Sequence, residues 1–401
     1  VNIRSLCLGA LSALVLAGLG LPAAAAPAPH LQDEPLLIGH RGAAGVAPEN
    51  TLPAIKAGSQ SGAEFIEIDV QLSRDGVPFV FHDDTPARTT NVEQVFPGRE
   101  HQPITSFTWD ELQQLDAGSY FSAAYAGERI PHFDQVPQAV TGTTGVFIEI
   151  KSPKNSPGVE EVVAKALEQE RSWSRLLDAG RIEVLGFDAE SNQRFAQLAP
   201  EVPLQQLAGT VPDAATLEGY SRFADAFGTS YRTLDAAGAE RVKRAGLGLG
   251  VYTVNSTESA DAARQLGVER ITGDFPAQLS RHFSGRDPFP GKPGLVIHSS
   301  VNDVPGNDLQ PETGEHVVLS NPGPRPVDAS GYLLRDAANN LLQIPAGYTI
   351  PAGGQLRVYP GPGTSSMDAF YADMGSAILN NGGDSLGLWN GQGKLVDTFA
   401  N

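Results

Sequence analysis

Glu67 and Asp69 stand one residue apart in the run Phe65-Ile66-Glu67-Ile68-Asp69-Val70. In an extended strand successive side chains point to opposite faces, so both carboxylates share one face and most of the aliphatic groups take the other. Two like charges side by side on a buried strand raise each other's pKa unless positive charge lies between them, and a metal ion is the simplest source. The run Phe147-Ile148-Glu149-Ile150-Lys151 repeats the pattern, with Glu149 and Lys151 on one face. Glu67, Asp69 and Glu149, with no cysteine nearby, form an oxygen-ligand set that favours one divalent cation, Ca²⁺ or Mg²⁺, over zinc. Arg41 and Lys151 offer fixed positive charge to an anionic oxygen group, Arg41 as a fork and Lys151 as a point charge. His40 and His82 each close a short apolar run. Imidazole is the side chain suited to exchange protons near neutral pH, as a paired general base and general acid require. Each feature alone has a plainer reading: a solvated Glu-x-Asp strand face, a structural histidine, a surface Glu–Lys pair. The coincidence of these groups at strand ends is what points to a site.

The elements that must position them alternate. Short apolar runs fall at residues 36–38, 65–70, 77–81, 146–150, 182–185, 203–207, 224–227, 247–254 and 269–272, with helical patterns between most of them. Val159, Val162, Val163, Ala166 and Leu167 follow the spacing of an amphipathic helix. Thr108 to Glu111 has the form of a capping box, and Ser256 can cap the helix bearing Ala260, Ala263 and Leu266. Strand–helix alternation over residues 31–283 predicts a (β/α)8 TIM-type barrel, with a doubly wound open sheet as the rival. The runs number one more than eight, and the gap from Val70 to Val77 is too short for a crossover helix. Those two runs therefore read as a hairpin through Asp75-Gly76 or as an irregular corner. Residues 83–145 read as an insertion of more than one helix covering the barrel mouth.

Residues 284–294 are rich in proline and glycine and read as a linker. Beyond them, residues 295–401 carry six or seven short alternating runs separated by turn signals such as NPGPRP and NGGD. That pattern predicts a small all-β sandwich.

Residues 1–26 combine Arg4, an apolar run and an alanine-rich end, the layout of a secretory signal peptide. The expectation is a secreted protein, extracellular or associated with the cell envelope, without a transmembrane anchor. The single cysteine, Cys7, lies in that segment, so the mature chain is expected to hold no disulfide. Net charge is −18, and losing Arg4 with the signal leaves 27 basic against 46 acidic groups, or −19. Such a chain is not expected to bind nucleic acid through bulk electrostatics, and an anionic substrate would need a local reversal of the field.

The strings Ile38-Gly39-His40-Arg41-Gly42, Pro48-Glu49-Asn50-Thr51, Glu67-Ile68-Asp69-Val70, His82-Asp83 and Ile148-Glu149-Ile150-Lys151 resemble, in order and spacing, the glycerophosphodiester phosphodiesterases. The later strings Val251-Tyr252-Thr253-Val254-Asn255 and Thr272-Gly273-Asp274-Phe275-Pro276 look like that family's closing strands. The resemblance covers essentially all of residues 31–283. It implies a (β/α)8 barrel that hydrolyses glycerophosphodiesters to glycerol 3-phosphate and an alcohol with one divalent cation. By motif it implies His40 and His82 as the acid–base pair, Glu67, Asp69 and Glu149 as metal ligands, and Arg41 and Lys151 as phosphate contacts. Tyr252 stands where the family usually has Trp, and Gly186-Phe187-Asp188 replaces Ser-Phe-Asp, departures that bear on substrate fit. Thr253-Val254-Asn255 and Asp274 have two readings, support for the site residues from behind or strand-end structure, and strand-end structure is the expected one.

Residues 295–401 resemble the lamin-tail family, an immunoglobulin-like sandwich, through Leu319-Ser320-Asn321-Pro322-Gly323, the stretch from Val327 to Leu333 and Ile350-Pro351-Ala352-Gly353-Gly354. This likeness implies a fold and leaves room for a cell-surface or protein partner. Two other functions compete. One is a phospholipase D-like hydrolysis of lysophospholipids, for which Tyr120, Phe121, Tyr125 and Phe133 would line an acyl path, although packing is their expected role. The other is a non-catalytic surface-binding protein.

Overall fold

The computed structural model describes residues 34–291 and 294–401; the expected signal segment, residues 1–26, and part of the expected linker lie outside them. The first sheet contains β1 (Leu36–Gly39), β2 (Phe65–Leu72), β3 (Pro78–Val80), β4 (Gly145–Ile150), β5 (Ile182–Gly186), β6 (Leu204–Ala208), β7 (Ala226–Ser230), β8 (Gly248–Tyr252) and β9 (Arg270–Gly273). Their order is β1-β9-β8-β7-β6-β5-β4-β2-β3, and β1 also pairs with β2, so the sheet closes on itself. The parallel strands form the (β/α)8 barrel rather than an open sheet. The extra run is β3, antiparallel to β2 with Val70 opposite Val80. β2 outruns β1, which reaches only Phe65 and Ile66, and β3 takes over that edge from Val70 onward. The returning chain thereby brings His82 to the level of Asp69, where the Phe81 N–H donates to the Asp69 carbonyl.

Period-two alternation decides which side chains meet. Ile66, Ile68, Val70, Ile148 and Ile150 are fully buried outside the barrel wall, against helices that include Val159–Gln169 with its buried Val159, Val163 and Leu167. Facing inward, Ile38, Phe147, Leu185 and Leu207 form an apolar layer, with Leu36, Phe65 and Tyr252 against it. Glu149 follows Phe147 on the same face and stands above that layer. Glu183 precedes Leu185 and stands below it. The Thr108 capping box and the Ser256 cap both form.

The insertion holds more than one helix, each of them short. Residues 83–145 contain the α-helices Val92–Val95, Trp109–Leu112 and Val136–Ala139, with 3-10 turns such as Ile104–Ser106 between them. They stay ordered by wrapping a core of their own around Phe79, Phe81, Ile104, Phe107, Leu112 and Ile130. Phe133 is fully buried and stacks on Trp173 at 4.2 Å, which fits packing.

The C-terminal region has two four-stranded sheets. One contains Val296–Val301, His316–Ser320, Gln355–Tyr359 and Ala369–Tyr371; the other contains Leu333–Asp336, Leu341–Gln343, Ser385–Trp389 and Leu395–Ala400. Leu295, Val317, Leu319, Leu334, Leu356 and Leu388 pack in their shared core. This region meets the barrel at its mouth. Arg232 donates from Nε to the Asn401 carbonyl and from Nη2 to the Asp384 carbonyl, and Phe275 lies against Trp389 at 6.3 Å. Among the described residues no helix is long and apolar enough to cross a membrane.

Candidate active site

Three carboxylates converge at the barrel's C-terminal end. β2 presents Glu67 and Asp69 inward and β4 presents Glu149, with Asp69 in register opposite Glu149. Ligand atoms of all three lie within 4.8 Å of one another, and all three residues are buried. Burial, reinforced by repulsion from Asp69 and Glu149, pushes the Glu67 carboxyl well above the ordinary range. Burial also raises Glu149, with Asp69 adding to it and Lys151 opposing. At Asp69 burial acts in the same direction, but His82, Lys151 and Arg41 outweigh it and hold that carboxyl down.

Asp69 accepts from Asn50 Nδ2 at 2.7 Å through Oδ2, while its buried Oδ1 has no hydrogen-bond partner. Three crowded buried carboxylates with an orphaned oxygen fit a hard, oxygen-liganded cation. A second grouping, Glu49, His82 and Asp83, has its charge met already. Arg88 bridges it, donating from Nη1 and Nη2 to Glu49 at 2.9 and 2.7 Å and from Nε and Nη2 to Asp83 at 2.7 and 2.9 Å.

The two histidines rise above the carboxylates, each backed by a carboxylate of its own. His40 Nδ1 lies 2.6 Å from Asp274 Oδ1, and Asp274 is fixed by the Asn255 amide and by its own N–H, which donates to Asn255 Oδ1 at 2.7 Å. His82 Nδ1 lies 2.7 Å from Asp83 Oδ1. With both Nδ1 atoms occupied, both Nε2 atoms are left to serve the cleft. Burial disfavours ionised Asp274, but His40 beside it outweighs this and lowers its carboxyl below the ordinary value.

Arg41 and Lys151 complete the ring. Arg41 donates from Nη1 to Glu49 at 2.6 Å, and its buried Nε, 3.8 Å from Asp69 Oδ2, has no hydrogen-bond partner. Lys151 donates from Nζ to Glu149 at 2.9 Å. Arg41 has a φ of 48° and Ser152, just after Lys151, a φ of 43°. Non-glycine residues seldom take that left-handed conformation, and here it occurs where the chain turns out of β1 and β4. Gly42 follows at φ 89°, where an added Cβ would lie 2.4 Å from the Ala54 backbone, so only glycine lets this loop press against helix Leu52–Ser59.

His40, Arg41, Glu67, His82, Glu149 and Lys151 line one cavity of about 150 Å³, with Asp69 beneath. The seven residues read from the sequence as acid–base, metal or phosphate groups are thus in one place. Sequence reasoning missed the partners. Asp274 and Asn255, expected to be strand-end structure, orient His40; Asp83, Arg88 and Glu49 do the same for His82 and Arg41. The signal lay in the strings themselves: Glu49 in Pro48-Glu49-Asn50, Asp83 in His82-Asp83, Asn255 in Val251–Asn255 and Asp274 in Thr272–Pro276, whereas Arg88 belongs to none of them.

The chain is similar to known proteins over both regions. The model of the glycerophosphoryl diester phosphodiesterase family matches residues 40–278, and that of the lamin tail domain matches residues 290–401. A glycerophosphodiester phosphodiesterase of Bacillus subtilis is 30% identical over 288 residues, 68% of this chain and 95% of that protein. One from Caldanaerobacter subterraneus is 33% identical over 251 residues, 61% of this chain and 96% of that protein. Among solved structures, an Oleispira antarctica phosphodiesterase in complex with the product sn-glycerol 3-phosphate superimposes with a TM-score of 0.55 at 27% identity, covering 63% of this chain and 97% of that one.

Proposed function

Because this chain belongs to the glycerophosphoryl diester phosphodiesterase family and is a phosphoric diester hydrolase, we propose that it hydrolyses glycerophosphodiesters to glycerol 3-phosphate and an alcohol by histidine acid–base chemistry beside one divalent cation. The observation that carries this reading is the pair of carboxylate-backed histidines standing over three buried carboxylates. Glu67, Asp69 and Glu149 would hold the cation, Ca²⁺ or Mg²⁺, which when bound neutralises charge on the phosphoryl oxygens. Arg41 and Lys151 add fixed positive charge to the same oxygens.

In the first step His40 Nε2 takes the proton of the glycerol hydroxyl beside the diester, and that oxygen attacks phosphorus. The bond from phosphorus to the alcohol breaks, and His82 gives its proton to the departing oxygen. In the second step His82, now neutral, takes a proton from water, which opens the cyclic phosphate. His40 returns its proton to the glycerol oxygen, so one water is consumed and both histidines regain their starting states. Asp274 and Asp83 stabilise whichever imidazole is charged and hold its tautomer. The leader-like residues 1–26 support export as the setting for this activity.

The test is release of glycerol 3-phosphate from a panel of diesters, with EDTA and with Ca²⁺ or Mg²⁺ restored. Turnover is expected to vanish with chelator, to return with cation, and to be absent for a diester lacking the neighbouring hydroxyl. Efficient cleavage of a simple dialkyl phosphate would sink the internal-attack step.

A further inference from the structure

Two clefts leave the catalytic cavity, and different parts of the chain wall them. On the His82 side a trough of about 760 Å³ is bounded by barrel residues alone, among them Asp84, Ser152, Lys154 and Phe187. On the His40 side a cavity of about 350 Å³ runs from His40 and Arg41 to the sandwich, which supplies its far wall with Arg335, Asn339 and Trp389.

Arg335 is the unusual member of that wall. Its guanidinium lies 3.7 Å from the Phe121 ring centroid and 5.2 Å from that of Trp389. Nη2 donates to the Phe121 carbonyl at 3.1 Å, whereas Nε and Nη1 are buried without a hydrogen-bond partner. No carboxylate among the described residues forms an ion pair with it. The nearby acids are engaged elsewhere: Asp336 accepts from Asn340, and Asp384 accepts from the Asn380 and Ser385 N–H groups. Asn339 has the complementary deficit. Its Nδ2 donates to the Tyr120 carbonyl at 2.8 Å while its buried Oδ1 lacks a donor. Buried donors and an acceptor left unmet are costly unless a ligand meets them. A polyol offers both acceptor and donor groups.

We propose that Arg335, with Asn339, makes the sandwich a working wall of the active site, contacting the glycerol half of the diester and restricting the His40-side cleft to a free, unacylated glycerol. This rests on the functional reading above, in which His40 acts on the glycerol hydroxyl. The alcohol half then lies in the trough on the His82 side, which the sandwich does not reach, so the enzyme discriminates strongly at glycerol and weakly at the alcohol. The guanidinium lies over the Phe121 and Trp389 rings, so the ring faces it covers are not free to take an acyl chain.

The experiment uses the full chain with saturating cation and compares wild type, Arg335→Met and Arg335→Lys on glycerophosphocholine, glycerophosphoethanolamine and 1-acyl lysophosphatidylcholine. Loss of a charged hydrogen bond predicts that Arg335→Met raises KM about tenfold on both deacylated diesters alike, with kcat within about twofold. Inhibition by sn-glycerol 3-phosphate weakens in parallel while inhibition by inorganic phosphate holds, a split that a merely loosened domain would not produce. Wild type is expected to turn over the lysolipid at least about a hundredfold less efficiently than the deacylated diesters. The proposal is overturned by an unchanged KM, by a change confined to one alcohol group, by equal weakening of both inhibitors, or by efficient lysolipid cleavage. Should Arg335→Met fail to fold, Arg335→Lys and Asn339→Ala carry the same readouts. Inactivity of wild type on both deacylated diesters would instead remove the functional reading itself, and this inference with it.

Discussion

The two ends of the barrel interior both bury acidic groups, and they deal with the charge in opposite ways. Below the apolar layer, Glu183 accepts from Arg270 Nε at 3.0 Å and from Nη2 at 3.2 Å, a forked pair that leaves little charge unmet. Above the layer, Glu67, Asp69 and Glu149 share the side chains of Lys151 and Arg41, of which only Lys151, to Glu149, is within hydrogen-bond distance, while the Arg41 main-chain N–H donates to Glu67 at 2.8 Å. A pair that neutralises itself serves the fold. A trio that does not is an electrostatic deficit held in place by the fold, and a cation is what relieves it. The contrast separates structural from functional burial of charge within one set of strands.

Four variants sharpen that contrast. The largest effect belongs to the upper end: His40→Ala and His82→Ala should each lower kcat by about 10²–10⁴-fold, with the fold retained. Near-normal turnover in either variant, measured as glycerol 3-phosphate release, would falsify its role. Next, Arg270→Met should cost roughly 3–5 kcal/mol of stability in denaturant titrations, because it strands a buried carboxylate. Burial already raises the Glu183 carboxyl above its usual value. Without Arg270 the folded state gains stability by taking up a proton there, so the deficit should be larger at pH 8 than at pH 5. A loss independent of pH would mean that packing, not charge, explains the pair. The smallest effect, and the most telling, is Glu67→Gln. In chelator it should melt above wild type, since it removes one of three crowded charges, and added Ca²⁺ or Mg²⁺ should reverse that ranking. If Glu67→Gln melts lower in chelator, the upper cluster is a self-sufficient network and the contrast fails.

Much of this architecture was legible in the chain. Alternation at residues 65–70 and 146–150 placed the acids inward because period two leaves few choices once isoleucine must face the helices. The hairpin between β2 and β3 followed from a gap too short for a crossover. What stayed hidden depended on closure in space. Asp274 reads as an ordinary strand-end acid until β9 lies beside β1 and sets it against His40. Arg88 sits in a stretch without periodicity, and Arg335 belongs to a region whose likeness speaks only of fold. The helices of the insertion could not be bounded from the chain, because its apolar residues, such as Ile104 and Phe107, serve a small core made by single turns and lack a helical repeat. The strands Val327–Asp328 and Thr349–Ile350 are two residues each, too short to leave a pattern.

The partnership of His40 with Asp274 joins residues 234 positions apart. It ties chemistry to the order in which the chain assembles. All three carboxylates sit on β2 and β4, within the first half of the barrel. Asp274 follows β9, the strand that shuts the ring. On the proposed reading, then, the aim of His40 is a property of the closed circle and of no smaller part of it.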